Sequence, residues 1–309
     1  MKTKTLRRAL TDYLKLRRSL GFKLRRSGML LPDFLTHLEE ARSSFITTSL
    51  AVEWATQPQD VHPAWWTSRL VLVRGFAKYL QPIDPRHQVP PLQLVSHRRA
   101  RAAPYIYEPT EIAALLAATT TLRNELRTET YRTFLGLLAV SGMRTGEAIA
   151  LDDDDVDLRS GVLVIRKTKY GKTREVPLHR SSTQALERYQ RQRDRLVPRQ
   201  VSPSFFVSTV GTRLIYQNVH ETFLELVYAA GLGEREPRRP RIHDLRHSFA
   251  VRTVLAWHRA GEDVEAKLPM LSTYLGHIGP SSTYWYLTAI PELLESATTR
   301  LERAWNVRS

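Results

Sequence analysis

Six side chains between residues 144 and 286 are of types that act together on phosphate esters. In order they are Arg144, within Ser141-Gly142-Met143-Arg144-Thr145-Gly146-Glu147; Lys169, next to Tyr170-Gly171-Lys172; His243 and Arg246, within His243-Asp244-Leu245-Arg246-His247; His277, closing Tyr274-Leu275-Gly276-His277; and Tyr286, within Thr283-Tyr284-Trp285-Tyr286. Breaking a phosphodiester builds negative charge on the non-bridging oxygens. A guanidinium meets that charge with a planar fork of donors, which suits phosphate geometry better than an ammonium does. Arg144 and Arg246 are the candidates for such a clamp. A phenol has a pKa of about 10 and needs a base or nearby cations to become a nucleophile. Taken singly, each of these residues is most often a surface ion pair or a satisfied core group, so the signal lies in the set and its order.

These groups need elements to present them. Arg132–Val140 reads as a helix leading to Arg144. Glu108-Pro109-Thr110-Glu111 resembles a helix start, with Thr110 as cap and Glu111 suiting the positive helix end. Gly161–Ile165 and Arg174–Leu178 are short and rich in β-formers, and Tyr170-Gly171-Lys172 supplies the turn of a hairpin between them. A third strand is expected at Phe205-Phe206-Val207, and the chain beyond Gln217 reads as mostly helical.

The first 95 or so residues read as four short helices. Leu6, Leu10, Tyr13 and Leu14 recur at helical spacing ahead of Gly21. A second helix covers Leu30–Ala41, and a third covers Leu50–Ala55 after Thr47-Thr48-Ser49. The fourth covers Ala64–Leu80, with Trp66, Leu70, Val73 and Leu80 on one face. The first helix carries Arg7, Arg8, Lys15, Arg17 and Arg18 on its other face, and Arg25 and Arg26 follow. Pro82, Pro85, Pro90 and Pro91 then interrupt helix, and Arg98, Arg99 and Arg101 form a basic segment without apolar periodicity. The expected organisation is therefore a helical module over 1–95, a basic linker over 96–104, and a mixed domain over 105–309. The fold class is mainly α with a small antiparallel β-sheet.

Lys and Arg number 46 against 31 Asp and Glu, for a net charge of +15, which points to a polyanionic partner. No apolar run approaches the roughly eighteen residues of a membrane span, and no signal peptide is evident. With no cysteine in the chain, disulfides, thiolate-bound zinc and thiol catalysis are excluded, and a reducing cytoplasm is the expected location.

The ordered set Arg, hairpin Lys, His-x-x-Arg, Leu-Gly-His, Tyr resembles the tyrosine recombinase (phage integrase) family. The string Met270-Leu271-Ser272-Thr273-Tyr274-Leu275-Gly276-His277 with Ser282-Thr283-Tyr284-Trp285-Tyr286-Leu287 looks most like recombinases of mobile elements that sit in tandem groups. The resemblance covers about Tyr105 to Ala297, and the helical module suits the family's core-binding domain. It implies a C-shaped clamp on double-stranded DNA and a DNA-assembled tetramer of like or mixed protomers. Strand cleavage would go through a 3′-phosphotyrosine at Tyr286, without metal or ATP. It further implies that Lys169 protonates the leaving 5′-oxygen, that His243 assists the phenol, and that His277 hydrogen-bonds the phosphate. Glu147 would fix a basic side chain of the clamp. The basic residues 7, 8, 15, 17, 18, 25, 26, 98, 99 and 101 would meet DNA, and the enzyme would associate with the nucleoid.

Several alternatives stand beside this reading. Tyr284 rivals Tyr286, although two residues on one helix face different ways. Lys167 and Lys172 compete with Lys169. His243 and His247 have the i, i+4 spacing of a zinc motif, but Asp244 stands where a Glu is needed. Asp152-Asp153-Asp154-Asp155 suggests divalent-metal chemistry, yet consecutive carboxylates cannot all converge on one ion, so a solvated turn is expected there. Leu293, Ala297, Leu301 and Trp305 form an apolar stripe that packs on a neighbouring protomer or on the chain's own core. A type IB topoisomerase-like enzyme and an accessory DNA-binding protein are the functional rivals.

Overall fold

The computed structural model describes residues 3–95, 104–166, 173–233 and 239–277. The chain divides into two compact units, Met1–Ala102 and Ala103–Ser309. Arg98, Arg99 and Arg101 of the expected linker lie outside the described residues, as do Lys169, its rivals Lys167 and Lys172, the tyrosines 284 and 286, and the C-terminal stripe.

The first unit is helical: α1 Thr3–Ser19, α2 Arg25–Glu40, α3 Thr48–Thr56 and α4 Pro63–Leu80. Leu6, Leu10 and Tyr13 of α1 are buried at helical spacing, against Leu31, Phe34 and Leu35 of α2 and Leu70, Val73 and Phe76 of α4. Trp54 of α3 fills the centre, its ring 5.1 Å from that of Phe34. The Thr47 side chain caps α3 by accepting from the Leu50 N–H, and Pro63 opens α4 at a position whose N–H has no intrahelical partner anyway. The second helix begins at Arg25 rather than Leu30. Leu24 takes a left-handed conformation (φ 42°) that turns the chain after Gly21, so Arg25 and Arg26 join the first turn of α2.

The second unit opens with α5 Pro109–Ala117, α6 Glu125–Ser141 and α7 Thr145–Ala150. A sheet of β1 Val156–Asp157, β2 Val162–Ile165 and β3 Arg174–Pro177 follows. The helices α8 Arg180–Leu196, α9 Tyr216–Ala229, α10 Asp244–Arg259 and α11 Val264–Leu275 complete the described chain. Three local readings are corrected. Glu108, not Thr110, is the cap of α5, and the Glu111 carboxylate accepts from its N–H. The α6 helix starts seven residues before Arg132, because the Asn124 side chain accepts from the Arg127 N–H. The third strand is β1, antiparallel to β2, whereas Phe205 and Phe206 are fully buried core side chains and Val207 makes only an isolated bridge to Arg213.

Phe134 and Leu138 of α6, Tyr189 of α8, Phe206 of the segment between α8 and α9, and Phe223 of α9 form the centre of the main core, which also takes Leu163, Ile165 and Val176 from the sheet. A smaller core joins α10 to α11 through Ala250, Val251, Val254, Leu268, Leu271 and Leu275. Among the described residues no helix is long and apolar enough to cross a membrane.

The four-aspartate run forms a turn that is only partly solvated: Asp154 is exposed, Asp155 is buried, and three of the four carboxylates are ion-paired. Asp152 pairs with Arg213 at 2.5 Å, Asp153 with Arg193 at 2.7 Å, and the buried Asp155 with Arg166. These three carboxylates thus hold different segments of the unit: the 205–213 loop, α8, and the end of β2. Burial alone would penalise Asp155, and the Arg166 guanidinium offsets that penalty.

Candidate active site

Two left-handed glycines bring the site together. Gly142 (φ 58°) ends α6 and Gly276 (φ 67°) ends α11, and at both positions a Cβ would meet neighbouring side chains. Arg144 follows the first glycine as the cap residue just before α7, and His277 follows the second.

The last carbonyls of a helix have no intrahelical donors and carry partial negative charge. At the end of α11, three successive carbonyls each accept from a different arginine. Arg174 Nε donates to Tyr274 at 2.8 Å, Arg246 Nη2 to Leu275 at 2.7 Å, and Arg144 Nη2 to Gly276 at 2.9 Å. Arg246, buried on the first turn of α10, also donates to the Gly142 carbonyl at 2.7 Å. The structure therefore brings Arg144, Arg246 and His277 to one place, around the closing turn of α11. The His277 N–H donates to the Ser272 carbonyl at 2.9 Å, which completes the helix stop and fixes the backbone from which the imidazole projects.

Glu147, on α7, hydrogen-bonds Arg144 twice. Its carboxylate accepts from the Arg144 backbone N–H at 2.9 Å and from Nη1 at 2.7 Å. It also accepts from both terminal nitrogens of Arg174, at 3.2 and 2.8 Å. Burial works to raise this carboxyl, but the hydrogen bonds from Arg174 and Arg144 and the Arg174 charge outweigh it and hold the pKa at about 2. Among the described residues, two of the five N–H donors of Arg144 meet acceptors, and its side chain stays 36% exposed, so the head can serve an incoming anion.

His243 stands just before α10, exposed at the rim, with its ring edge-on to His247 at 4.8 Å. Its pKa is lowered, first by partial desolvation, then by the charges of Arg246 and Arg144. A neutral imidazole beside two guanidinium groups is a proton acceptor. For the zinc alternative, Asp244 is fully buried and turned onto Arg241, whose Nη2 donates to it at 2.8 Å, and no cluster of metal-binding side chains occurs among the described residues.

Arg174 was not among the sequence-derived site residues. A signal existed: it shares a strand face with the buried Val176 and pairs with Ile165 across the sheet, so a cation sits in an apolar register. It also opens β3, at the return end of the β2–β3 pair, while Arg166, at the outgoing end, is tied to Asp155.

In the first unit, Arg8, Lys15, Arg18, Arg25 and Arg26 are exposed. Arg7 is engaged internally: Nε and Nη2 each meet the Glu39 carboxylate at 2.7 Å, linking α1 to α2. The Arg17 guanidinium lies over the Phe22 ring, 3.9 Å from its centroid.

The family model of the phage integrase family matches residues 106–292. The chain belongs to the phage integrase family of tyrosine recombinases. This recombinase is 44% identical over 312 residues to the putative integrase/recombinase y4rB of Sinorhizobium fredii, covering 99% of each chain. Its fold is similar to that of the Tn1549 transposon integrase in complex with transposon right end DNA. The TM-score is 0.66 at 17% identity, over 96% of this chain and 98% of that one. The XerH site-specific recombinase bound to palindromic difH shares the fold at a TM-score of 0.64 and 20% identity, over 87% and 78% of the two chains.

Proposed function

We propose that this recombinase cuts and rejoins double-stranded DNA at specific sites through a covalent bond between Tyr286 and a DNA 3′ phosphate. The phenolic oxygen attacks phosphorus, the bond to the 5′-oxygen breaks, and Lys169 gives that oxygen a proton. His243 takes the phenolic proton, Arg144 and Arg246 neutralise the charge that builds on the non-bridging oxygens, and His277 donates a further hydrogen bond. The phosphotyrosine keeps the energy of the broken bond. A free 5′-hydroxyl from a partner duplex can therefore reverse the step without ATP or metal.

What supports the reading is the gathering of Arg144, Arg246 and His277 around one helix end in a member of this family. Residues 1–95 serve as the core-binding module, residues 96–104 as a basic linker, and residues 105–309 as the catalytic domain. Their basic side chains supply sequence-independent phosphate contacts. Exchange between two duplexes requires four strand cuts and one nucleophile for each, hence four protomers on DNA, of one kind or mixed. The S. fredii relative and the transposon integrase fit a role in moving a genetic element, in the cytoplasm at the nucleoid.

The test uses purified protein and nicked suicide duplexes made from the DNA that flanks its gene. An SDS-resistant protein–DNA adduct should form with wild type and Tyr284→Phe and vanish with Tyr286→Phe. Sequence-specific binding with no adduct from wild type would instead assign the chain an accessory role.

A further inference from the structure

We propose that Arg174 is a positioning residue of the recombinase site, and that it acts as the counter-charge which frees Arg144 to attract a phosphate. The proposal rests on the phosphate-clamp reading given above.

Arg144 has a carboxylate oxygen of Glu147 at 2.7 Å. An anion that close fixes the rotamer but also cancels the positive charge the clamp needs. A second guanidinium resolves this conflict. Arg174 grips the same carboxylate with both terminal nitrogens, so the trio Arg144–Glu147–Arg174 carries a net charge of +1 instead of zero. Arg174 and Glu147 are each 11% exposed, whereas Arg144 is 36% exposed. The buried members neutralise each other, and the surplus charge faces outward on the residue that can reach a ligand.

The same guanidinium has a second attachment, through Nε to the Tyr274 carbonyl. It lies so close to Gly276 that a Cβ there would stand 2.8 Å from Nη1. Arg174 thus joins the base of Arg144 to the turn that projects His277, through a planar fork that lysine cannot reproduce.

The experiment measures single-turnover adduct formation on the suicide duplex, with DNA binding and thermal unfolding recorded alongside. Arg174→Gln should slow adduct formation roughly 10- to 100-fold while it still binds the duplex. Glu147→Gln/Arg174→Gln restores the net charge of +1 and should recover several-fold of the lost rate. A purely structural role predicts the opposite, since the double variant lacks both ends of the bridge. Arg174→Gln as fast as wild type, or a double variant no faster than Arg174→Gln alone, overturns the proposal. If Arg174→Gln does not fold, Arg174→Lys carries the test. Adduct formation well above that of Arg144→Lys supports the counter-charge, and a loss as deep as that of Arg144→Lys overturns it. Wild type that forms no adduct refutes the clamp reading itself, which is a separate result.

Discussion

Arg246 donates to the Leu275 carbonyl at 2.7 Å, so an arginine on α10 holds the last turn of α11. With its other terminal nitrogen on the Gly142 carbonyl, the guanidinium is oriented by two helix ends before any substrate arrives. Such preorganisation is what makes a clamp effective, because no reorientation is needed as charge develops. Arg246→Lys keeps the charge but leaves one buried carbonyl without its donor. We expect adduct formation to fall by on the order of 100-fold and stability in urea to drop by about 1–3 kcal/mol. A variant as stable as wild type would count against the double tether.

His243 should work as a base at lower pH than an ordinary histidine. Its pKa lies below the usual 6.5, so the imidazole stays neutral as pH falls past that value and gains its proton only further down. The acid limb of the pH–rate profile for adduct formation should therefore fall below pH 6.5. His243→Gln should lower the plateau and flatten that limb. A limb centred above the ordinary histidine value would contradict the role.

Glu147 should make the protein acid-sensitive. Its carboxyl titrates at about 2 in the folded chain against an ordinary 4.5, so its contribution is fully present above the ordinary value and is lost as pH falls toward the folded one. The difference corresponds to about 3 kcal/mol, and urea midpoints of wild type should decline over that window more steeply than those of Glu147→Gln. At neutral pH Glu147→Ala should remain folded and cleave roughly 10- to 100-fold more slowly.

The basic residues of α1 should divide by their partners. Neutralising Arg8, Lys15 or Arg18, all exposed, should each reduce the slope of log affinity against log salt by about 0.9 for a contacted phosphate. Arg7→Ala should change it far less, because that guanidinium already answers Glu39. Equal slope changes for Arg7 and Arg8 would show that the ion pair opens on DNA.

The helical stripe of Leu6, Leu10 and Tyr13 and the β-rich pair around 161–178 were legible because local periodicity dictated them. Arg144, Arg246 and His277 were legible as types and order. What brings them together is less so: the bonds from Arg144 and Arg246 to residues 276 and 275 span 132 and 29 positions, and a carbonyl leaves no mark in a sequence. The aspartate run misled for the same reason, since the arginines that pair with it come from 166, 193 and 213. Arg174 shows the remaining gap, because a strand cation reads as solvent-facing until its partner across the unit is known.

The core between α10 and α11 is small and meets the main one at Tyr274, and the arginines at the closing turn of α11 add its polar ties to the rest of the unit. Heat should therefore part these layers before the larger core melts. Catalytic competence would then have its own, lower midpoint, disappearing while most of the helical signal persists and returning on cooling without a full refolding cycle.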